Sequence, residues 1–390
     1  MAGIYIHIPF CLQKCNYCNF FSVPDLSLKD LYCQALCKEM LLRKDYLNSN
    51  KISTLYFGGG TPSLLSAQQI ENIITSAQSC FNFSSDAEIT LEANPNCLTN
   101  NYLYDLSHTS INRLSIGIES FFDENLQILG RIHTARQAEE ALQLSDKHGF
   151  KNISIDLMYG YPLLNKQQWS ANLEKVKYIP HLSCYCLHLE PYSPMYQSIK
   201  SGKYTLPDES EILEQYQILK KFMQKYNFSH YEISNFCQNN CFSKHNLSYW
   251  QNEPYLGLGT AAHSFNLYSR QWNLCDIALY INELNKIKYP SQWENQKGIL
   301  FDSEQLTPQM QFNEYIMTSL RTQWGCDLNF IETRFTGAVD YLQKNVKKLH
   351  PDLYLMDANT LSLTEKGFLL ADRIACELFV EKEMSFIEEK

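Results

Sequence analysis

Three cysteines stand close together near the N-terminus, in the stretch HIPFCLQKCNYCNF (residues 7–20). Cys11, Cys15 and Cys18 have the spacing CxxxCxxC on a loop directly after a predicted first strand. Soft thiolate ligands on one loop favour an iron–sulfur cluster or zinc. A structural zinc would need a fourth ligand, for which His7 is a poorly placed candidate on the strand itself. We predict a [4Fe–4S] cluster, whose fourth iron stays open to another ligand because only three cysteines are offered.

The glycine-rich stretch GGGTPS, residues 58–63, directly follows a second predicted strand. By itself it can be a turn or a weak phosphate loop, although it lacks the lysine of a Walker motif. Beside a cluster, the same stretch can instead contact a bound ligand. Glycines let the backbone approach a ligand closely, and exposed carbonyls can accept hydrogen bonds from an ammonium group.

Short β-rich runs that alternate with helical stretches must position these groups. The alternation predicts an α/β fold with a parallel sheet, wound right-handed and curled into an incomplete, TIM-like (β/α)6 barrel. In such sheets ligands gather at the carboxyl ends of the strands. Reading just past each run gives PFCLQKCNYC, GGGTPS, NPN, ES, YGYP and EPYSP, so the chemically marked residues fall at one end of the sheet. The runs are IYIHI (4–8), ISTLYF (52–57), EITLEA (88–93), RLSIGI (113–118), ISIDLM (153–158) and CYCLHL (184–189).

The sequence changes in character from about residue 307. A helix capped by Thr307, with Pro308 in its first turn, is followed by two more helical stretches, a hairpin and a last helix. That order is typical of a winged-helix module. We therefore predict a partial barrel at 1–270, a connector at 271–300 and a winged-helix-like domain at 301–380.

Composition and charge indicate which classes of partner and which cellular compartment are expected. The 390 residues are 45% apolar, enough for a large core and two domains. The net charge is -9 with no long run of Lys or Arg, so nucleic acid is not an expected partner although winged helices often bind DNA. No apolar run approaches the roughly 20 residues of a membrane helix, and the N-terminus lacks the features of a signal peptide. We expect a cytoplasmic chain whose 14 cysteines are mostly reduced.

The combination of CxxxCxxC, GGGTP and an incomplete α/β barrel resembles the radical S-adenosylmethionine (SAM) superfamily. The stretches YIHIPFC, YFGGGTPS, LEANP, RLSIGIES, LGRIH, DLMYGYP and HNLSYW extend the likeness over most of residues 4–265. They resemble the haem-chaperone branch of the superfamily, which is related to oxygen-independent coproporphyrinogen III dehydrogenase. The resemblance implies that SAM binds the open iron and is cleaved by an electron from the cluster.

The resemblance also implies which residues contact SAM. Glu119 departs from the pattern, since Gln is expected there in the dehydrogenase relatives. Carboxylates can accept hydrogen bonds from ribose hydroxyls or an amine, and Arg131 can pair with the carboxylate of SAM. The implied SAM contacts are Tyr5, Gly59, Gly60, Thr61, Glu92, Glu119, Arg131, Asp156 and His263.

His245, in HNLSYW, is the candidate haem ligand, because an imidazole can bind haem iron and this stretch marks the haem-carrying relatives. The alternative is a hydrogen-bonded histidine within a packed segment. With Cys237 and Cys241 it also forms CxxxCxxxH, which can hold zinc but lacks one ligand.

Two functions are therefore open. The first is a haem chaperone that binds haem, a [4Fe–4S] cluster and SAM, and transfers haem to an acceptor haemoprotein. The alternative is the dehydrogenase itself, an enzyme that oxidatively decarboxylates propionate side chains. The dehydrogenases carry a fourth cysteine where this chain has Phe20, and an N-terminal extension that we do not expect here. Both differences favour the chaperone, and no catalytic residue is assigned.

The expected partners are haem, an acceptor haemoprotein and an electron donor for the cluster. Peripheral contact with membrane haemoproteins is a further expectation. The sequence leaves open whether the chain forms oligomers.

Overall fold

The computed structural model of the chain describes residues 1–48 and 50–381. These residues form fifteen strands, which belong to one large and one small sheet. The strands are β1 (Ala2–Ile8), β2 (Ile52–Gly59), β3 (Phe83–Ala93), β4 (Arg113–Glu119), β5 (Ile153–Tyr159), β6 (His181–Cys186), β7 (Ser229–His230), β8 (Asn235–Cys237), β9 (Tyr255–Leu258), β10 (His263–Phe265), β11 (Ser269–Asn273), β12 (Phe301–Gln305), β13 (Cys326–Asp327), β14 (Tyr354–Met356) and β15 (Thr360–Leu363).

Seven parallel strands form the centre of the large sheet, in the order β9-β1-β2-β3-β4-β5-β6. The six predicted strands are all present and consecutive in this order, which confirms the α/β prediction. Their burial is nearly continuous, as expected where helices cover a parallel sheet. Only β6 is displaced, since it begins and ends three residues before the predicted run.

Antiparallel strands extend the large sheet at both edges. Strands β8 and β7 follow β6, while β10, β11 and β12 follow β9. Within the part of the chain that the structure describes, β7 and β12 do not pair with each other, so the sheet is open, as predicted for an incomplete barrel.

Fifteen α-helices connect the strands in the described ranges. Several begin at a capping box; in α2, for example, Ser66 accepts from the Gln69 amide while the Gln69 side chain accepts from Ser66. The helices are α1 (Lys29–Leu42), α2 (Ala67–Cys80), α3 (Asn100–Leu106), α4 (Asp123–Leu129), α5 (Ala135–Lys147), α6 (Lys166–Lys175), α7 (Pro194–Lys200), α8 (Glu209–Lys225), α9 (Lys244–Trp250), α10 (Ile277–Lys286), α11 (Pro308–Leu320), α12 (Leu328–Arg334), α13 (Ala338–Val346), α14 (Glu365–Phe368) and α15 (Ala371–Glu377).

The predicted connector, 271–300, carries most of β11 and the whole of α10. Glu39 of α1 binds it through a buried network, accepting from Asn273 Nδ2 at 2.8 Å and from the Tyr280 hydroxyl at 2.5 Å. Arg43 completes the network by donating to Glu39 at 2.9 Å. The segment therefore packs on the same apolar core as the large sheet.

The C-terminal residues surround a second buried apolar cluster, which contains Phe312, Ile331 and Leu342. Thr307 caps α11 as predicted, by accepting from the Met310 amide. The predicted order of three helices, a hairpin and a helical segment is present, with β13-β15-β14 as the small sheet. The last segment is divided into α14 and α15, and the likeness to a winged helix stays a prediction.

No helix in the described ranges is long and apolar enough to cross a membrane.

Candidate functional site

The cysteine loop leaves β1 at the carboxyl edge of the sheet and is held at its base by backbone hydrogen bonds. The Val23 amide donates to Pro9 at 2.8 Å, and the Cys11 amide donates back to Val23 at 3.1 Å. At its middle, the Asn16 amide donates to Leu129 at 3.0 Å. Cys11, Cys15 and Cys18 are all free thiols and partly exposed.

The glycine stretch lies directly against the start of this loop. The amides of Gly60 and Thr61 donate to the carbonyls of Ile8 and Phe10, at 2.9 and 2.7 Å. Gly59 has a φ of +109°, and a Cβ atom there would lie 2.5 Å from the His7 ring. Glycine is therefore required at this position by both backbone conformation and space.

A cavity of about 370 Å³ opens between the cysteine loop, the glycine stretch and the ends of β3, β4 and β5. This volume lies in the range of small-molecule sites. Ten of the thirteen predicted site residues line it: Cys11, Cys15, Cys18, Gly59, Gly60, Thr61, Glu92, Glu119, Arg131 and Asp156.

Arg131 connects the cysteine loop to the ends of two strands. Its guanidinium lies 3.5 Å from Cys15 Sγ and donates to Asn94 Oδ1 at 2.7 Å. It also donates to the Gly117 carbonyl, and its Nη1 lies 3.8 Å from Glu119 Oε1. A planar group with several fixed donors suits such a junction.

Glu119 reaches Arg131 from a left-handed backbone conformation, with a φ of +64°. The register between β4 and β5 shifts at the same point, between Gly117 and Glu119. Irregular pairing of this kind re-aims side chains next to functional sites. The backbone conformation at Glu119 therefore directs its carboxylate to a defined position in the cavity wall.

Two partly buried carboxyl groups also face the cavity. Burial raises the pKa of Glu92 to about 7. Burial, and then the nearby Glu119 carboxylate, raise the pKa of Asp156 to about 8. The Tyr56 hydroxyl donates to Glu92 at 2.8 Å and the Gly59 amide at 3.2 Å, which fixes the orientation of that carboxyl group. A cation in the cavity would favour the charged form of both groups.

Tyr5 does not line the cavity but lies beneath it. Its ring stacks near Tyr56, with centroids 6.2 Å apart, and its hydroxyl donates to His7 Nδ1 at 3.1 Å. His7 in turn donates from Nε2 to the Phe21 carbonyl at 2.9 Å, at the end of the cysteine loop. Through His7, Tyr5 therefore stabilises the end of the cysteine loop. Both ring nitrogens of His7 are hydrogen-bonded, so His7 is not placed as a fourth ligand beside the three cysteines.

His263 lies outside the cavity on β10. Its side chain is exposed and stacks against Trp272 of β11, with ring centroids 6.4 Å apart. His263 is therefore not part of the cavity wall, so the cavity does not provide the SAM contact predicted for this residue.

His245 is fully buried at the opposite, amino-terminal end of the strands. Its Nδ1 lies 2.8 Å from the Thr54 hydroxyl and its Nε2 lies 2.8 Å from the Tyr249 hydroxyl, so both ring nitrogens are occupied. The ring stacks on Tyr56 with centroids 4.9 Å apart. The surroundings of His245 are therefore those of the alternative hypothesis, a hydrogen-bonded histidine within a packed segment.

The zinc hypothesis for Cys237, Cys241 and His245 is wrong. Cys237 is buried in β8, while both nitrogens of His245 bond hydroxyl groups elsewhere. Throughout residues 1–48 and 50–381, no three His, Cys, Asp or Glu side chains converge closely enough to hold one metal ion.

The cysteine loop has the ligands that an iron–sulfur cluster requires. In a cubane each thiolate binds a different iron. The three thiols line one cavity. A charged guanidinium beside Cys15 also suits a thiolate ligand, and the rest of the cavity offers donors and acceptors for a polar cofactor.

Eleven of the 21 residues that line the cavity were not among the predicted site residues. Tyr17 lies within the cysteine loop and interacts with Glu119, and Asn94 donates to Thr61 at 3.1 Å and accepts from Arg131. The stretch NPN after β3 was a usable signal for Asn94. Ser115, Met158 and Tyr185 had no signal of their own, because the direction of their side chains depends on the strand pleat. The other six are Gln13, Lys14, Phe20, Pro62, Ala93 and Gly117.

The comparisons with known proteins agree with this geometry. Residues 5–176 match the model of the radical SAM superfamily. The chain is 30% identical over 387 residues to "Heme chaperone HemW" of Lactococcus lactis subsp. lactis, covering 98% of each chain. It is 31% identical over 381 residues to "Heme chaperone HemW" of Bacillus subtilis, covering 96% of this chain and 98% of that protein.

The solved structure of coproporphyrinogen III oxidase (HemN) from Escherichia coli has the same fold. It superposes with a TM-score of 0.79 at 22% identity, covering 98% of this chain and 90% of that one.

The fold and the cavity together define a radical SAM protein. Such proteins use SAM and a [4Fe–4S] cluster held by a three-cysteine loop of the kind found here. Since the likeness at 30% identity extends over nearly the whole of both chains, the chain belongs to the HemW family.

Replacing His245 by Leu is expected to lower the free energy of unfolding by about 3 kcal/mol, because two buried hydroxyl groups lose their partner. Burial lowers the pKa of His245 to about 3. The folded state therefore keeps this histidine neutral, and its contribution, complete above about pH 6.5, is lost as the pH falls toward 3 at up to about 1.4 kcal/mol per unit. Urea unfolding at several pH values measures both effects.

The control for this variant is a double-mutant cycle with Thr54→Val. The two changes should be less than additive, since each removes the same hydrogen bond. A His245→Leu protein of unchanged stability with an altered haem spectrum would instead restore the ligand reading.

Proposed function

We propose that the chain is a haem chaperone, which binds haem beside a [4Fe–4S] cluster and SAM and transfers it to an acceptor haemoprotein. The observation that carries the proposal is the near-complete, end-to-end likeness to two proteins named heme chaperone HemW. The acceptor and the electron donor are further parts of the proposal, identified only by chemistry as a haemoprotein and a one-electron reductant.

The proposed cluster ligands are Cys11, Cys15 and Cys18. When bound, the cluster supplies an iron that chelates the amino and carboxylate groups of SAM and an electron that can cleave it. The residues of the chain hold and orient these groups. Arg131 connects the cluster loop to the strand ends, so the loop and the SAM cavity share one rigid support.

We propose that the glycine stretch and the partly buried carboxyl groups bind the two ends of SAM. Gly59, Gly60 and Thr61 border the cluster end of the cavity, where the backbone can approach the methionine part. Glu92 and Asp156 line the cavity along the strand ends, where they can accept from ribose hydroxyls or attract the sulfonium. Tyr5 acts from below, by supporting His7 and the loop.

SAM affinity is expected to increase as the pH rises from about 6 to about 8, by roughly tenfold. Glu92 and Asp156, with pKa values of about 7 and about 8, are mostly neutral at the lower pH; at the higher pH Glu92 is mostly charged and Asp156 is about half charged. The charged forms attract the positively charged cofactor. Equilibrium dialysis of radiolabelled SAM against anaerobic protein measures the profile.

Glu92→Gln should remove the part of this profile centred near pH 7, whereas Glu140→Gln, at an exposed position on α5, should leave it unchanged. A flat profile for the original protein would show that neither carboxyl group meets the cation.

Phe20 supports the chaperone over the dehydrogenase. It lines the cavity at the position where the dehydrogenases carry their further cysteine, and two-thirds of its side chain is exposed. An apolar ring cannot donate a proton or bind a metal there, but it can contact a flat macrocycle.

The test is to follow haem titration and coproporphyrinogen III conversion in parallel, with anaerobically reconstituted protein, SAM and a reductant. Haem bound near one per chain, with no conversion and with transfer to an added apo-haemoprotein, is the expected result. Conversion to protoporphyrinogen IX would identify a dehydrogenase that works without the further cysteine.

A further inference from the structure

A continuous series of side-chain hydrogen bonds connects two of the three cysteines of the loop. It runs from Cys11 through Thr61, Asn94 and Arg131 to Cys15, and is called the Asn94 relay below. Its members follow three neighbouring strands, β1, β2 and β3, and the helix α4. Segments that are far apart in the sequence are therefore joined beside the cysteine loop, and Asn94 stands at the middle of the series.

Asn94 uses both ends of its side-chain amide in this relay. Its Oδ1 accepts from Arg131 Nη2 at 2.7 Å, and its Nδ2 donates to Thr61 Oγ1 at 3.1 Å. Its backbone amide donates to Ser63 Oγ at 3.2 Å, which attaches the residue to the glycine stretch. Thr61 and Ser63 are both buried. The side chain of Asn94 is therefore held in one orientation by partners that are themselves packed.

The chemistry of these groups fixes the direction of donation along the relay. A guanidinium only donates, so Asn94 must present its oxygen to Arg131 and its NH₂ group to Thr61. The Thr61 hydroxyl accepts from that NH₂ group, which leaves its own proton free to be donated. Thr61 Oγ1 lies 3.4 Å from Cys11 Sγ. A thiolate that binds iron only accepts, so Thr61 donates to Cys11, while Arg131 donates to Cys15 at 3.5 Å.

We propose that Asn94 is a positioning residue of the cluster site, which directs the hydroxyl proton of Thr61 to Cys11. The inference rests on the proposed cluster ligands. In this arrangement both sulfur atoms receive a hydrogen bond, from Thr61 at one end of the relay and from Arg131 at the other. Hydrogen bonds to the sulfurs are among the factors that set the reduction potential of an iron–sulfur cluster. Asn94 therefore makes the cluster easier to reduce by acting through Thr61.

The polarity of the amide, and not its size, is what this role requires. Aspartate has nearly the same shape, but beside Arg131 it is ionised and has no N–H group. It would accept from Arg131 and also from Thr61, so the Thr61 proton would turn away from Cys11. The change Asn94→Asp therefore reverses one hydrogen bond with little change in volume.

The experiment measures the reduction potential of the cluster in the whole chain after anaerobic reconstitution, without SAM. The electron paramagnetic resonance signal of the reduced cluster is followed during a redox titration. Asn94→Asp should shift the equilibrium toward the oxidised cluster by at least about tenfold, which is about 59 mV for one electron. The lost hydrogen bond and the added negative charge act in the same direction.

Thr61→Val separates these two causes, because it removes the hydroxyl group without adding a charge. It should shift the equilibrium toward the oxidised cluster by about fivefold, as expected for the loss of one hydrogen bond. Thr61→Ser keeps a hydroxyl group and should restore the original potential. In the double variant the effects of Asn94→Asp and Thr61→Val should be less than additive, since each removes the same hydrogen bond.

Asn100→Asp is the matched control. Asn100 is exposed and lies outside the cavity, so the same chemical change there adds a charge that solvent and salt screen. It should change the equilibrium by less than about twofold. Thermal melts of the cluster-free proteins show whether each variant keeps the fold.

The outcomes separate this inference from the assignment on which it rests. If the original protein assembles no cluster, the proposed ligands and the inference both fail. If it assembles a cluster whose potential neither Asn94→Asp nor Thr61→Val changes, the ligands stand and the inference is overturned. Fully additive effects in the double variant would also overturn it, because they would show that Asn94 does not direct the Thr61 hydroxyl.

Discussion

The Cys15→Ser protein is expected to fold but to retain no iron or sulfide above background after anaerobic reconstitution. Cys15 is the central thiol of the loop and the one in contact with Arg131. A serine oxygen is a poor ligand for an iron–sulfur cluster, and two thiolates leave a second iron without a protein ligand. Because the open iron is needed for SAM, SAM-dependent changes in the electron paramagnetic resonance spectrum should disappear as well.

Cys80→Ser provides the matched control. Cys80 is also a free, partly exposed thiol, but it lies at the end of α2, outside the cavity. This variant should bind the same amount of iron and sulfide as the original protein. An unchanged cluster in Cys15→Ser would remove this cysteine from the ligand set.

The Gly59→Ala protein is expected to lose both stability and SAM affinity. The new Cβ would lie 2.5 Å from the His7 ring, and alanine is strained at a φ of +109°. Overpacking and backbone strain together cost about 2 to 5 kcal/mol. Since His7 also holds the Phe21 carbonyl, displacement of its ring moves the cysteine loop. A loss of SAM affinity of about 100-fold is expected, as for a misplaced binding group.

Gly149→Ala separates the two causes. Gly149 also has a positive φ, of +88°, but its added Cβ would meet nothing within 4 Å. It should therefore lower stability by only about 1 kcal/mol and leave SAM binding unchanged. Equal SAM losses in both variants would show that backbone strain alone, without the His7 contact, decides the effect.

The centre of the fold could be predicted because buried parallel strands are nearly continuous apolar runs. The edge strands could not, since β7, β8 and β10 have only two or three residues each. The start of β6 could not be predicted because it contains polar residues. His181 there bonds the Ser154 hydroxyl at 2.6 Å and the Tyr231 hydroxyl at 2.7 Å, and such buried polar networks carry no apolar signature.

The site was predictable where residues follow strands directly. Cysteines and glycines at or just past the ends of β1 and β2, and carboxyl groups within β3, β4 and β5, all meet in one cavity. His245 was harder, because its role depends on Thr54, which is 191 residues away in the sequence. A histidine motif alone cannot distinguish an iron ligand from a ring held by two hydroxyl groups, and the same holds for His263 at its exposed position on β10.

The position of β1 between β2 and β9 also determines when the large sheet can form while the chain is being synthesised. The first strand pairs with a strand made about 250 residues later, and the Gly3 amide bonds the Pro254 carbonyl. At about 5 to 20 residues per second, a ribosome takes roughly 12 to 50 s to reach that partner. Throughout this time the cysteine loop lacks one of the two strands that flank β1. Cluster loading should therefore follow the synthesis of β9 rather than that of the loop itself.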